Sequence, residues 1–307
     1  MTHRVLVAGA PRSGTTWVAE TLATAADTAF VHEPDNHRLW PIAALAKEGI
    51  GTHPALTLDD DLPVYDALWE NAYAGGDNQA RPGWFARKAA IKGVPKSVTE
   101  ALVRGQYSSA TTAAKQLFRA APKAPPRPNA GHVVVKSVHS AFALERNAQG
   151  ADVVVVVRRD HRNAVASWLD LGWLVPRYEK EPNFAERVLG PADLEPPARG
   201  SATVENAWAY ALLHHGFTSA AAKHPEWIVV EHEDLCDDVV GNFGTLFEQA
   251  GLPWSDATTN KLVEGDKAGD GYKTNRVAAD QRDRWRKRLD ERQVAEVASV
   301  LARFGQS

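Results

Sequence analysis

One segment near the N-terminus, Ala8-Gly-Ala-Pro-Arg-Ser-Gly-Thr-Thr-Trp17, limits the possible folds more than any other part of this chain. It follows a short apolar run, Val5–Ala8, and opens a helix-like stretch that continues to Ala23. A strand, a glycine-containing turn and a helix in this order form a phosphate cradle, because backbone N–H groups and the helix N-terminus point at the anion. The segment therefore predicts an α/β fold that binds a phosphorylated ligand.

The glycine spacing of this loop is similar to that of a Walker A loop, but the residues after it differ. Thr15 and Thr16 follow Gly14, where a Walker A loop has Lys and then Ser or Thr. The nearest cation in the loop is Arg12. The sequence thus predicts a phosphate site without the lysine that nucleoside triphosphatases place on the β- and γ-phosphates.

Short apolar runs followed by helical stretches favour a parallel sheet with helices on both faces. Their valine-rich composition, without polar alternation, is what a doubly covered sheet requires. Such folds bind ligands at the carboxyl ends of the strands. The runs are Val5–Ala8, Ala29–Val31, Val133–Val135, Val153–Val157 and Trp227–Val230.

We expect residues 1–307 to form a single domain with two inserts, at about 35–130 and 171–201. Long inserts in α/β enzymes often form lids and substrate walls. Peripheral packing is the alternative for both. The proline-rich stretch 121–128 disfavours helix and predicts an extended connection at the end of the first insert.

Charge and cysteine content exclude some classes of protein. The net charge is −3, which gives no overall basic field for nucleic acid or membrane. The basic run Arg282–Arg288 indicates either a solvated helix face or a phosphate site. Cys236 is the single cysteine, so an intrachain disulfide is impossible. Since Val153–Val157 is the longest apolar β-type run and no signal peptide is evident, we expect a soluble, cytoplasmic protein.

A second motif begins in the buried run Val153–Val157 and continues as Arg158-Arg-Asp-His-Arg-Asn-Ala-Val-Ala-Ser167. Arg159 stands at the end of the predicted strand, and Ser167 lies about two helical turns further on. A guanidinium and a hydroxyl at this spacing can bind a phosphate through charge-assisted hydrogen bonds. A strand–helix junction with surface charges is the alternative.

These motifs together resemble the sulfotransferase family. Pro11-Arg-Ser-Gly-Thr-Thr-Trp17 resembles its 5′-phosphosulfate loop, and the Arg159/Ser167 pair resembles its 3′-phosphate motif. A third region, Trp227–Leu235 followed by Gly251-Leu-Pro-Trp254, is similar to a structural segment of many members, with His232 where Tyr is frequent. The resemblance implies a P-loop-like central parallel sheet flanked by helices, with helical and loop insertions on the acceptor side.

The resemblance also implies the reaction and its participants. These enzymes transfer a sulfuryl group from 3′-phosphoadenosine 5′-phosphosulfate (PAPS) to a hydroxyl or amine, by in-line displacement that depends on positioning and charge stabilisation. The acceptor here is expected to be a small molecule, a glycan or a glycolipid, and no metal is expected. A P-loop nucleotide kinase or phosphotransferase, and a non-catalytic nucleotide-binding protein on the same fold, are the alternatives.

The family's binding roles can be carried over to matching residues. Arg12 would stabilise charge on the bridging oxygen, and Lys136 would contact the transferring sulfonate. Trp17 would stack on adenine, with buried helix packing as the alternative. Residues implied in phosphate binding are Ser13, Gly14, Thr15 and Thr16 for the 5′-phosphate, Arg159 and Ser167 for the 3′-phosphate, and Arg276 in a C-terminal segment that covers the cofactor.

Two residues compete for the role of the base that deprotonates the acceptor. Glu33, in His32-Glu-Pro34, occupies the place of a Glu-Pro in carbohydrate-type and related bacterial sulfotransferases, and we favour it. His139 follows Lys136 with two residues between them, one more than in the Lys-Thr-His of the cytosolic enzymes. His32 would face away from Glu33 in a strand. A salt bridge that positions the loop is the alternative role for Glu33.

Overall fold

The computed structural model describes residues 2–76, 83–123, 130–172, 178, 181–189, 194–267 and 277–305. These ranges contain one parallel sheet and thirteen α-helices. The strands are β1 (His3–Ala8), β2 (Thr28–His32), β3 (His132–Ser137), β4 (Val153–Arg158) and β5 (Ile228–Glu231). The helices are α1 (Thr15–Leu22), α2 (Pro41–Ala46), α3 (Pro63–Tyr73), α4 (Trp84–Lys92), α5 (Lys96–Val103), α6 (Ser109–Ala120), α7 (Leu144–Asn147), α8 (His161–Asp170), α9 (Ala202–Lys223), α10 (His232–Asp237), α11 (Val239–Gln249), α12 (Asp256–Gly265) and α13 (Glu291–Arg303).

The five strands are hydrogen-bonded in the order β2-β3-β1-β4-β5, and every pair is parallel. In the register, Val5 of β1 lies opposite Val134 of β3 and Val153 of β4. Because all strands point the same way, their carboxyl ends meet at one edge of the sheet. This confirms the expected α/β architecture, with β1 and its phosphate loop at the centre.

Alternate strand residues enter two hydrophobic cores on opposite faces of the sheet. Val5 packs in one core with Phe243 of α11, and Leu6 packs in the other with Trp208 of α9. Both strand side chains are fully buried. Burial on both faces explains why these strands lack polar alternation.

The first insert folds into helices α2–α6 and has a small core of its own, formed by Ala44, Ile91, Leu102, Ala114 and Phe118. Helix α6 begins with a capping box, in which the Ser108 hydroxyl accepts from the Thr111 N–H at 3.2 Å. Residues 124–129, most of the proline-rich stretch, lie outside the described residues.

The second insert is tied to the first by a buried carboxylate. Glu181 accepts hydrogen bonds from the Thr52 backbone N–H at 2.6 Å and from the Arg104 guanidinium at 3.1 Å. Tyr178 and Phe184 of this insert stack with ring centroids 5.6 Å apart and lie in the same core as Trp208. The two inserts therefore pack against each other as well as against the sheet.

The basic run near the C-terminus is largely paired with aspartates. Arg282 contacts Asp234 and Asp237, and Arg288 contacts Asp170. The run thus forms a surface of ion pairs, which favours the solvated-face interpretation over a phosphate site. Among the described helices, none is long and apolar enough to cross a membrane.

Candidate active site

A cavity of about 1090 Å³ lies at the carboxyl edge of the sheet. The segment after each of the five strands contributes to its wall. The contributing residues include Arg12 after β1, Glu33 after β2, His139 after β3, Arg159 after β4 and His232 after β5. The structure therefore brings the sequence motifs together in one space, although they are far apart along the chain.

The phosphate loop ends at Gly14, which is the N-cap of α1 and has a φ of 95°. A side chain there would be strained, and its Cβ would collide with the His232 ring, so the position requires glycine. No side chain caps the helix. The first-turn N–H groups of α1 lack helical partners by geometry, and Thr15 and Thr16 line the cavity. Such a helix start suits a phosphate.

Ser13 belongs to this loop but is not among the residues that line the cavity. Its hydroxyl is fully buried and has no hydrogen-bond partner among the described residues. A buried hydroxyl without a partner is uncommon in a folded protein, and this one faces Gly9, where a Cβ would lie 2.9 Å from it. The feature of the loop that fits an anion is therefore the uncapped start of α1, where Thr15 and Thr16 line the cavity.

Two residues of the site have a left-handed backbone although they are not glycine. The φ angle is 73° at Arg12 and 48° at Glu33. Such a conformation costs on the order of 1–3 kcal/mol and occurs mainly where the surrounding structure enforces it, often at functional sites. Both residues line the cavity.

The two phosphate motifs are connected through Arg12. Its Nε donates to the Ser167 Oγ at 3.0 Å, and its carbonyl accepts from the Arg159 Nη1 at 2.9 Å. Arg12 thus reaches toward the second motif in this structure. Arg159 is buried, which lowers its pKa, while the adjacent Glu233 carboxylate opposes that shift.

The third motif supports the second one. The Glu233 carboxylate accepts from the Asp160 N–H and from the Asn163 side-chain amide, each at 3.2 Å. It lies 3.8 Å from the Arg159 guanidinium. This carboxylate fixes the turn between β4 and α8, where Arg159 stands. The hydrogen bonds of Glu233 therefore agree with a structural role for this third region.

Trp17 lies at the β4–β5 side of the cavity. Its ring meets Phe243 edge-on at 4.8 Å and His232 at 5.6 Å between centroids. His232 is buried, which lowers its pKa well below the usual range, and its Nδ1 lies 3.8 Å from the Cys236 Sγ. Trp17 therefore both packs against the core and lines the cavity. Its position agrees with stacking on adenine and also with buried helix packing.

Glu33 lies in contact with Lys136 on the other side of the phosphate loop. The Lys136 ammonium donates to Glu33 Oε1, and the Asn36 amide donates to Oε2 at 2.6 Å. Burial opposes ionisation of this carboxyl. Lys136, His32 and Asn36 nevertheless lower the pKa of Glu33 to about 2. Glu33 is therefore ionised at neutral pH and held in an ion pair.

The expectation that His32 faces away from Glu33 is wrong. His32 Nε2 lies 3.8 Å from Glu33 Oε1, and both residues line the cavity. Strand β2 ends at His32, and the left-handed backbone of Glu33 breaks the alternation that a continuing strand would impose.

His139 lines the same cavity, so both candidate bases reach it. Its backbone N–H donates to the Ser137 hydroxyl at 3.1 Å, which fixes the segment after β3. Burial, together with the charge of Lys47, lowers the pKa of His139 well below the usual range. The imidazole is therefore neutral at pH 7 and close to the rings of His53 and His37, at 4.9 and 6.2 Å.

A buried polar network that the sequence did not reveal holds the segments after β2 and β3. Ser137 Oγ donates to the Asp35 carboxylate at 2.9 Å, and Ser140 Oγ donates to Ser137 at 2.9 Å. The Lys47 ammonium lies 3.9 Å from Asp35, and both side chains are fully buried. The only sequence signal is that Asp35 directly follows the Glu33-Pro34 pair.

One implied site residue, Arg276, lies outside the described residues. Within the ranges that are described, no group of three or more His, Cys, Asp or Glu side chains could hold a metal ion.

Comparison with known proteins adds a family assignment. A family model described as "Sulfotransferase family" matches residues 4–256. No curated protein matches the sequence significantly.

Three of the solved structures that resemble the chain, all at low identity, illustrate the match. The sulfotransferase domain from the curacin biosynthetic pathway is 12% identical, with a TM-score of 0.47, and the match covers 100% of this chain and 99% of that chain. The sulfotransferase domain of the Synechococcus PCC 7002 olefin synthase is 14% identical, with a TM-score of 0.45 and coverages of 100% and 95%. Retinol dehydratase in complex with retinol and PAP is 15% identical, with a TM-score of 0.42 and coverages of 97% and 80%.

Proposed function

The chain belongs to the sulfotransferase family, and from this premise we propose that it transfers a sulfuryl group from PAPS to an acceptor. The acceptor would carry the receiving hydroxyl, or an amine, on a small molecule, a glycan or a glycolipid. One observation carries this proposal. A single cavity joins the phosphate loop and Arg159 to the buried Glu33–Lys136 pair.

The residues present fit the nucleotide part of the donor. The uncapped start of α1, with Thr15 and Thr16 at the cavity, suits the 5′-phosphate. Arg159 and Ser167 suit the 3′-phosphate, and Trp17 offers an aromatic face for the adenine. Arg159 and Trp17 both line the cavity. When bound, PAPS supplies the activated sulfuryl group, and adenosine 3′,5′-bisphosphate leaves.

The strand order supports separate places for donor and acceptor. Arg159 and His232 follow β4 and β5, on one side of the central loop, whereas Glu33, Lys136 and His139 lie at β2 and β3, on the other. A nucleotide on the β4–β5 side would direct its sulfonate toward the β2–β3 side. The acceptor would then enter between the sheet edge and the two inserts.

Glu33 is the favoured base in this arrangement. It would take the proton of the acceptor hydroxyl as the new O–S bond forms and the bridging S–O bond breaks. A pKa of about 2 makes it a poor base while Lys136 remains attached. We propose that Lys136 leaves Glu33 for the sulfonate, which would raise the pKa of Glu33. His139, a neutral imidazole in the same cavity, is the alternative base.

The proposal is tested by turnover of sulfur-labelled PAPS with a panel of alcohols, phenols, amines and glycosides. Labelled product with at least one acceptor, and binding of adenosine 3′,5′-bisphosphate, are the expected results. If the bisphosphate fails to bind while ATP with Mg²⁺ does, a P-loop phosphotransferase replaces the sulfotransferase proposal. If the bisphosphate binds but PAPS is never turned over, the non-catalytic alternative is favoured.

A further inference from the structure

Polar aromatic side chains gather at the β2–β3 side of the cavity. The His53 ring lies 4.9 Å from the His139 ring and 5.5 Å from the Tyr178 ring, between centroids. All three side chains line the cavity. They come from three separate parts of the chain: the first insert, the segment after β3 and the second insert. We call His53, His139 and Tyr178 the imidazole subsite.

Three polar atoms of this subsite are buried and make no hydrogen bond to the described residues. His53 Nδ1, His139 Nδ1 and the Tyr178 hydroxyl have no hydrogen-bond partner in the described part of the chain. His53 is 4% exposed and Tyr178 is 1% exposed. Buried polar groups in folded proteins are nearly always paired, so these atoms call for a partner that the protein does not supply.

Hydrogen bonds to the backbone next to His53 hold the subsite in place. The residue before His53, Thr52, has its carbonyl bonded by the Lys47 ammonium at 2.8 Å and its N–H bonded by the Glu181 carboxylate at 2.6 Å. Glu181 also carries the Arg104 contact that joins the two inserts. These bonds fix the backbone that presents His53, and they keep the insert that carries Tyr178 against it.

The subsite carries no charge of its own at neutral pH. Burial lowers the pKa of His53 to about 3 and that of His139 well below its usual range. Burial also raises the pKa of Tyr178 above its usual value. Each neutral imidazole offers one donor and one acceptor nitrogen, and the phenol offers both functions. Lys47, the buried cation whose charge acts on both histidines, lies 3.9 Å from Asp35.

We propose that the imidazole subsite selects an uncharged acceptor with several hydroxyls, of the sugar or polyol class. This inference rests on the proposed sulfotransferase function. One hydroxyl would be presented to Glu33, while a neighbouring hydroxyl would donate to one imidazole and accept from another or from Tyr178. An acceptor with a single hydroxyl on an apolar body would leave the subsite atoms unpaired, and a cationic acceptor would meet no carboxylate among these three side chains.

The test compares hexyl β-D-glucoside with 1-hexanol, which share the alkyl chain and differ in the sugar. Ligand-observed NMR measures both affinities with and without saturating adenosine 3′,5′-bisphosphate. We expect the glucoside to bind the wild-type protein at least about tenfold more tightly than hexanol. Tyr178→Phe, which removes one oxygen, and His53→Phe should each weaken glucoside binding about tenfold and leave hexanol unchanged.

The matched control is His224→Phe, because His224 stacks on Trp227 outside the cavity. It should leave both affinities unchanged. Equal binding of glucoside and hexanol by the wild type, or unchanged glucoside affinity in Tyr178→Phe, would overturn the subsite. If the wild-type protein does not bind the bisphosphate or does not turn over PAPS, the proposed function is rejected instead. Glucoside selectivity can still be measured in that case.

Discussion

Lys136 donates a hydrogen bond to the carboxylate of Glu33, and the two side chains form a buried ion pair in the wall of the cavity. The backbone reinforces the contact, since the Glu33 N–H donates to the Lys136 carbonyl at 2.8 Å. The carboxylate favoured as base is thus held, in this state, by the ammonium expected to contact the sulfonate. Charge on the donor would compete with Glu33 for the same lysine.

Replacing that lysine should change the pH dependence of the reaction. In Lys136→Met, burial remains and the largest opposing charge is gone, so the pKa of Glu33 should rise from about 2 to above its ordinary value. The acid limb of the rate at subsaturating PAPS, which reports Glu33 in the free enzyme before Lys136 moves to the sulfonate, should therefore move to higher pH. The control is Lys115→Met, whose lysine pairs with Glu48 outside the cavity. An acid limb that stays in place would show that Glu33 does not control the rate.

Much of the fold could be predicted because its signals are local. Buried parallel strands leave continuous valine runs, and each predicted run overlaps a strand in the structure. At the sheet edge β5 begins at Ile228 rather than Trp227, and Val229 is 40% exposed. The predicted runs stop before the strands end, because polar residues such as His32 and Arg158 continue the backbone pairing. Two helices, α10 and α11, follow β5. Asp238 separates them, and its carboxylate caps α11 by accepting from the Gly241 N–H at 3.0 Å.

The site also has parts that the sequence could predict and parts that it could not. The phosphate loop could be located because its glycines and hydroxyls are consecutive in sequence. The contacts behind the acceptor side could not, because they join distant segments. Thr52 and Glu181, for example, are 129 residues apart and meet only after both inserts have folded. Neither residue belongs to a motif, and no periodicity marks it.

Adenosine 3′,5′-bisphosphate should bind and stabilise the protein. At about 100 times its dissociation constant, a ligand of the native state adds about 2.7 kcal/mol to the free energy of unfolding. The measurement is the melting temperature with bisphosphate, compared with ATP and Mg²⁺ at the same concentration. A shift with ATP and Mg²⁺ alone would contradict the assignment of the two phosphate motifs.

Arg159→Ala should weaken recognition of the 3′-phosphate specifically. Loss of one charge-assisted contact should cost about 1.5–3 kcal/mol of binding, so the variant should distinguish poorly between the bisphosphate and adenosine 5′-phosphate. Titration calorimetry with both nucleotides measures the difference. Arg158→Ala is the matched control, because the neighbouring guanidinium pairs with Glu231 instead. An unchanged preference in Arg159→Ala would place the 3′-phosphate elsewhere, with Arg276 as the first residue to examine.

Asp35→Ala should destabilise the fold strongly. It would leave Lys47 fully buried without its carboxylate, and removal of one partner of a buried pair costs about 3–5 kcal/mol. Urea denaturation measures the free energy of unfolding. Glu100→Ala, which breaks the more exposed pair with Arg38, should cost at most about 1 kcal/mol. If the two variants lose the same stability, the network behind β2 and β3 is not what holds these segments.

The choice between the two bases can be made by matched substitutions. Glu33→Gln keeps the shape of the side chain but removes the carboxylate. If Glu33 takes the acceptor proton, the chemical step should fall by roughly 10²–10⁴-fold while bisphosphate affinity changes little. His139→Asn should act mainly on acceptor binding, with a smaller effect on the chemical step, because its ring belongs to the imidazole subsite. Single-turnover sulfation separates the two effects.

A nearly wild-type rate in Glu33→Gln, together with an inactive His139→Asn enzyme, would make His139 the base. If both variants stay active, neither residue is the base, and the acceptor reacts already ionised or as an amine.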